Sequence, residues 1–180
     1  RMPSWKNVSQ TFPSFRSSLD TMRGVAFGFL FLITTMSTAQ PSTARFYAVR
    51  LQPHEDLKKA LMAFALTQGL EAAAVVSAVG SLEQYHLRFA NQESGVVKKG
   101  HFEVLSLSGT LSRESCHLHV SLGDSTGQVV GGHLLDDNIV YTTMEIVLFE
   151  LNELEFNRVV DKTYGYPELQ ITPRQKRRKK

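Results

Sequence analysis

His117-Leu118-His119-Val120-Ser121-Leu122, then Gly123-Asp124-Ser125-Thr126-Gly127, then Gln128-Val129-Val130-Gly131 running on into Gly132-His133, reads as strand, turn and strand. The turn is built from Gly, Asp, Ser and Thr and is flanked by residues that favour extended backbone, which is the pattern of a β-hairpin. A chain that reverses this tightly pairs its strands antiparallel. The rest of the sequence is read outward from this segment.

Upstream, Phe46 to Leu51 alternates apolar and polar residues and predicts a strand. Pro53-His54-Glu55-Asp56 places acidic residues in a first helical turn, where they complement the dipole. Leu57, Leu61, Phe64 and Ala65 recur at helical spacing, Met62 and Leu66 widen the stripe, and Gly69 ends the helix as a C-terminal cap. Ala72 to Ala78 reads as a buried strand, Gly80 as a turn or bulge, and Leu82 to Phe89 as the next strand. Asn91 to Gly100 is polar and loop-like, and Phe102 to Leu111 is a further strand broken at Gly109.

Downstream of the hairpin, Thr142 to Leu151 is long and β-rich. Its residues Met144, Ile146, Val147, Leu148, Phe149 and Leu151 are apolar on both alternating faces. Phe156 to Tyr166 shows no regular pattern, and Leu169 to Ile171 reads as a short last strand. One helix and about seven strands predict an α+β domain, a mostly antiparallel sheet with one main helix packed on it. A doubly wound fold needs several crossover helices, and the pattern supplies one. A single helix covers one face of the strand Thr142 to Leu151, so a neighbouring subunit in a closed cyclic assembly is expected to cover the other.

The chain has 180 residues and 20.2 kDa, with 42% apolar and 21% charged residues, the balance of one folded domain. No apolar run reaches the roughly 18–20 residues of a spanning helix, so no membrane partner is expected. One cysteine, Cys116, excludes an intrachain disulfide and a multi-cysteine zinc site. The net charge of +3 conceals a division. Residues 36–173 hold ten basic against sixteen acidic groups, whereas residues 174–180 hold six basic groups and no acidic one.

Three parts follow: a leader over 1–40, a domain over 41–172 and a basic tail over 173–180. Met22-Arg23, the apolar run Gly24 to Ile33 and the small residues Ser37-Thr38-Ala39 have the arrangement of a secretion signal over 22–39. Met36-Ser37-Thr38-Ala39 also has the form of an ordinary start, which places the protein in the nucleus or cytoplasm. The tail residues Arg174, Lys176, Arg177, Arg178, Lys179 and Lys180 suit nuclear import or sequence-independent contact with nucleic acid.

His117 and His119 alternate on one strand and share a face. Pairing about a turn centred near Ser125 sets His133 opposite residue 117, with 119 as the diagonal neighbour. Three imidazoles with an open fourth position form a zinc arrangement, and the same residues also fit ordinary strand histidines hydrogen-bonded in a polar pocket. Glu103 or Asp124 would be the base if a zinc-bound water did chemistry, although Asp124 also suits an Asx turn. His54, His86 and His101 read as structural or surface groups, and Cys116, facing away from the histidines, as a small buried hydrophobe.

Gly100-His101-Phe102-Glu103-Val104-Leu105 is similar to the Gly-Arg-Phe-Glu-Ile-Leu segment of the plant and prokaryote conserved (PPC) domain, the domain of plant AT-hook nuclear-localised proteins. His117 to Val120 with Gly131 to Leu134 resembles the histidine hairpin of its single-domain bacterial and archaeal members, and Leu51-x-Pro-x-Glu55-Asp56-Leu57 and Gly80-Ser81-Leu82 fit as well. The resemblance covers about residues 45–171. It implies a seven-stranded antiparallel α+β fold, a homotrimer, and a metal, zinc, at His117, His119 and His133. It also implies contact with nuclear proteins through Gly100, His101, Phe102, Glu103, Val104 and Leu105. The chain departs from the plant pattern in having His101 where that motif has Arg, and it lacks an Arg-Gly-Arg-Pro core to enter an A·T minor groove. The expected function is a non-catalytic trimeric binding module with a histidine metal site, associated with DNA or chromatin. The alternatives are a small zinc metalloenzyme or a purely structural trimer.

Overall fold

The computed structural model describes residues 39–175. The leader and signal-like segment, apart from Ala39 and Gln40, and the tail residues 176–180 lie outside the described residues. Eight strands and one helix follow in the order β1 (Ala44–Leu51), α1 (Leu57–Gln68), β2 (Ala73–Arg88), β3 (Val96–Leu111), β4 (Cys116–Gly123), β5 (Val129–Leu134), β6 (Ile139–Leu151), β7 (Leu154–Val160) and β8 (Pro167–Pro173). The first six strands form one antiparallel sheet in the order β1-β6-β2-β3-β4-β5. That sheet curls until β5 also pairs with β2 through Leu87↔Leu134 and Arg88↔His133. The strands β7 and β8 make a separate hairpin.

The expected α+β architecture with one helix is present, and its details differ in four places. Glu55 and Asp56 precede the helix instead of occupying its first turn. Asp56 is the N-cap, its carboxylate accepting from the backbone N–H groups of Lys58 and Lys59. Gly80 and Gly109 end no strand, since β2 and β3 run through them for 16 residues each, and at Gly80 the pairing of β2 with β6 shifts register as a bulge would. At φ 135° a Cβ on Gly109 would drive into the carbonyl oxygen of His117, so the glycine lets β4 approach where a side chain would push it away. The polar stretch before Gly100 is already β3 from Val96 onward, and the irregular stretch after Phe156 holds β7.

The core lies on the inner face of the curled sheet. Leu57, Leu61 and Ala65 of α1 are fully buried in one cluster with Leu82, Leu87, Leu118, Leu122, Met144 and Leu148. Alternation along β6 sends Met144, Ile146 and Leu148 inward and leaves Tyr141, Glu145 and Val147 exposed. Two polar side chains buried in the domain are matched, as low-dielectric surroundings require. Asn138, fully buried, donates to the carbonyls of His86 and Leu135 and accepts from the His86 N–H. Glu150, 3% exposed, is held by Arg174 at 3.1 Å and by the Tyr47 hydroxyl. Arg174, read as the first residue of a free basic tail, is therefore tied to the domain, and Pro173 closes β8. Among the described residues no helix is long and apolar enough to cross a membrane.

Gly109→Ala is expected to destabilise the domain by about 2 kcal/mol or more, through strain and displacement of β4. Ile146→Asp is expected to unfold it, because Ile146 is an inner-face residue and an unpaired buried charge costs several kcal/mol. Denaturant titration of both variants checks this; a folded Ile146→Asp protein would contradict the placement of the core.

Candidate metal centre

The geometry starts at the turn between β4 and β5. Asp124 Oδ1 accepts from the Thr126 N–H at 2.8 Å, the Thr126 hydroxyl at 2.7 Å and the Gln128 N–H at 3.0 Å. The backbone closes between Asp124 and Gln128, and Gly127 takes φ 81°. This is a three-residue loop with glycine in the left-handed position. Its centre is Thr126 and not Ser125, so the register moves: His119 pairs directly with His133, and His117 is the diagonal neighbour. The same three histidines meet by a different pairing from the one the sequence suggested.

One ring nitrogen from each of His117, His119 and His133 lies within 4.8 Å of the others. The Nε2 atoms of His117 and His119 are 3.1 Å apart. Two nitrogens bound to one tetrahedral zinc at 2.0–2.1 Å would be separated by roughly 3.3 Å. His117 and His119 are exposed and His133 half-buried, and Nδ1 of His133 is buried with no hydrogen-bond partner. Burial, reinforced by His117, pushes His133 down to about 4, and burial with His119 beside it lowers His117. Both imidazoles are thus held neutral at physiological pH, the form that offers a lone pair to a metal. The donor set, its spacing and the unpartnered nitrogen all fit a zinc ion.

The surroundings are set by the ladder, since cross-strand partners point to one face. The row Arg88–His133–His119–Ser108 spans β2, β5, β4 and β3, and Thr110 pairs with His117 beside it. Arg158 of β7 donates from Nη2 to the Thr110 hydroxyl at 2.8 Å. Glu168 of β8 acts on His117 in the opposite sense to Arg88 and Arg158. Sequence reading missed Arg88, Arg158 and Glu168. The register with β2 was the signal for Arg88, whereas β7 showed no pattern that would have placed Arg158.

The other candidates lie elsewhere. Glu103 pairs with Gly123, four residues along β4 from His119 and so about 13 Å away. Asp124 is occupied by its turn. Neither stands at the triad as a base. His54 binds Glu83 at 2.9 Å, His86 contacts the Asp136 carbonyl, and His101 stacks on Tyr141 with centroids 4.1 Å apart. Cys116 is half-buried, and burial pushes its thiol up, away from nucleophilic use. In Gly100 to Leu105, Phe102 and Val104 are buried while His101, Glu103 and Leu105 are exposed, so the segment offers alternate residues to a partner. Of the tail residues, Arg174 is described and Lys176, Arg177, Arg178, Lys179 and Lys180 lie outside the described residues.

A family model described as the Plants and Prokaryotes Conserved (PCC) domain matches residues 38–152. The chain is 44% identical over 133 residues to the "Bifunctional protein GlmU" of Synechococcus sp. (strain JA-2-3B'a(2-13)), covering 74% of this chain and 21% of that protein. It is 28% identical over 111 residues to the "AT-hook motif nuclear-localized protein 8" of Arabidopsis thaliana, covering 57% of this chain and 28% of that protein. The chain thus spans between a fifth and a third of the length of these relatives. Among solved structures, a hypothetical protein of Salmonella matches with a TM-score of 0.74 and 42% identity, over 76% of this chain and 99% of that one. The metal-containing protein AF0104 of Archaeoglobus fulgidus matches with a TM-score of 0.65 and 28% identity, over 74% and 99%.

Asp124→Ala is expected to lower the thermal midpoint at neutral pH. Hydrogen bonds from Thr126 hold the Asp124 carboxyl below its ordinary 3.8, so its stabilisation is present above that value and is lost as pH falls through the depressed one. Thermal melts of both proteins across this range check it: the difference between them should shrink on acidification.

Proposed function

The chain belongs to the Plants and Prokaryotes Conserved domain family, and on that premise we propose that it is a non-catalytic, trimeric binding module with a zinc ion at His117, His119 and His133, acting in association with DNA. The observation that carries the reading is the convergence of three ring nitrogens within 4.8 Å, with His133 Nδ1 buried and unpartnered. The metal-containing relative of the same fold supports it. The ion would be held by the three imidazoles, and the chemistry it would supply is charge at an exposed face. Neither Glu103 nor Asp124 stands beside the triad as a base, and Glu168 of β8 is the carboxylate that acts on His117.

Association into a trimer is supported by the outer face of the sheet. Phe46 is 65% exposed, and Val76, Val79, Leu105 and Val147 are exposed with it. An apolar face of this kind on an antiparallel sheet calls for a cover, and closed cyclic symmetry supplies one without leaving a sticky end. The association with DNA is supported by the plant relative's name and by the basic run Lys176 to Lys180 on an otherwise acidic chain. That contact would be independent of sequence and steeply salt-dependent, and it favours a nuclear location. Gly100 to Leu105 is the segment for contacts with other nuclear proteins.

A second reading, a small zinc metalloenzyme, is favoured by one observation: His117 and His119 are exposed, so a fourth ligand position is reachable.

Purified protein is expected to carry near-stoichiometric zinc that His119→Ala removes, measured by elemental analysis; metal-free wild type purified without chelators would refute the site. Light scattering should give about three times the 20.2 kDa chain mass, and Val147→Asp should give a folded monomer. Deleting residues 176–180, which leaves the Arg174–Glu150 pair in place, should abolish DNA retention at low salt, and undiminished retention would place the contact on the domain.

A further inference from the structure

The inward alternation of β2 slips once. Leu82 and Tyr85 are both buried, so the two residues between them, Glu83 and Gln84, are left side by side outside the core. Between Leu82 and Gln84 the ladder is irregular on both flanks, towards β3 and towards β6. Irregularities of this kind re-aim side chains and are over-represented beside functional sites. A cavity of about 510 Å³ opens here, lined by Glu83, Gln84, Lys99, Gly100, His101 and Ile139. Gln84 is the direct cross-strand partner of both Lys99 and Ile139, which puts those three side chains on one face. Gly100 adds no side chain to fill the space. The His101 ring stacks on Tyr141 of β6 with centroids 4.1 Å apart, and so reaches across β2 as a wall. Two lining groups are held from outside: Glu83 Oε1 lies 2.9 Å from His54 Nδ1, and Gln84 Nε2 donates to the Asp137 carbonyl at 3.0 Å. His54 and Asp137 both hold left-handed backbone at φ 69°, a conformation that costs free energy in a residue with a side chain.

The cavity holds one carboxylate and one ammonium that are not paired with each other. Glu83 meets His54 through one oxygen, and its other oxygen can accept further. Gln84, its amide N–H on Asp137, keeps Oε1 as an acceptor. Among the described residues Lys99 takes part in no ion pair, and the stacked His101 ring keeps its edge free to donate. A simple cation would be repelled by Lys99 and a simple anion by Glu83, whereas a zwitterion satisfies both. We propose that this cavity binds a free α-amino acid with a neutral side chain. Its ammonium lies on Glu83 and the Gln84 amide oxygen, and its carboxylate on Lys99 and the His101 ring N–H. An α-amino acid carries both ionic ends on one carbon, and direct ladder partners such as Gln84 and Lys99 stand roughly 5 Å apart at Cα. Ile139 is the apolar wall for the ligand's side chain. The cavity has the size of small-molecule sites, roughly 300–1,000 Å³. Gly100 and His101 also belong to the segment proposed for protein contacts, but the site needs neither that partner nor zinc.

The test is a thermal-shift titration of the full chain with the neutral L-amino acids, one at a time at millimolar concentration, followed by calorimetry with the one that stabilises most. At least one should raise the thermal midpoint and bind at about one per chain. Its N-acetyl derivative and its carboxamide, each lacking one of the two charges, should bind about tenfold more weakly. Glu83→Gln and Lys99→Gln should each weaken the amino acid by about tenfold, with circular dichroism and zinc content as in the wild type. His101→Ala, which leaves the contact between His54 and Glu83 in place, should weaken it as well. A panel in which no amino acid shifts the midpoint would overturn the proposal. So would unchanged affinity in the folded double variant Glu83→Gln/Lys99→Gln, or equal binding of the N-acetyl derivative or the carboxamide. A chain that holds zinc and ignores amino acids sinks this proposal alone. A chain that takes no zinc yet binds an amino acid through Glu83 and Lys99 sinks the metal reading and upholds this one.

Discussion

Side chains that face one another across an antiparallel ladder must point to the same side of the sheet, and this pleat rule divides the molecule in two. Along β4, Leu118, Val120 and Leu122 go inward to the core and His117 and His119 go outward. The same alternation sends Met144, Ile146 and Leu148 of β6 under α1 and leaves Val147 outside. A shift of one residue anywhere would exchange the two faces, burying imidazoles and exposing leucines, so the hydrophobic core fixes the register on which the histidine face depends. The Asp124 turn agrees with that register, and the agreement of local turn chemistry with distant core packing is what makes a single structure favourable.

Curling the sheet until β5 meets β2 has a steric cost that glycine removes. Gly80, Gly109 and Gly132 each sit where a Cβ would strike a neighbouring backbone oxygen, those of Thr143, His117 and Arg88. The closeness of Gly132 to Arg88 matters for the site, because it brings Arg88 and His133 into one row. The residues that shape the site are therefore partly ones without side chains.

The hairpin, the helix and the antiparallel class were legible because their signals are local: alternation, a helical stripe, and Gly69 as a cap. Gly109 misled, and Gly80 proved a ladder irregularity and no turn, because glycine marks both a turn and a close approach, and the difference lies in a strand far away in sequence. The triad was visible as residues and not as a register, since the turn's centre depends on which atoms Asp124 accepts from. Arg158 and Glu168 were invisible: they belong to β7 and β8, whose apolar patterns are short, and only tertiary packing brings them near β4. The buried halves of Gly100 to Leu105, Phe102 and Val104, show that a motif can owe its spacing to the core as much as to a partner.

The return of β5 onto β2 also decides where this protein is vulnerable. A six-stranded sheet ordinarily exposes two edges, each a template for another chain's backbone, but here the end of the β5 edge, His133 and Leu134, is taken up by β2. Among the described strands of that sheet, β1 keeps an open flank, and its outer residues include Phe46. Arg45 and Arg50 punctuate that flank, and like charges on two incoming copies repel when the strands align. Charges at these positions are of the kind that discourage edge-to-edge pairing, so β1 carries its own guard at the flank the sheet leaves open.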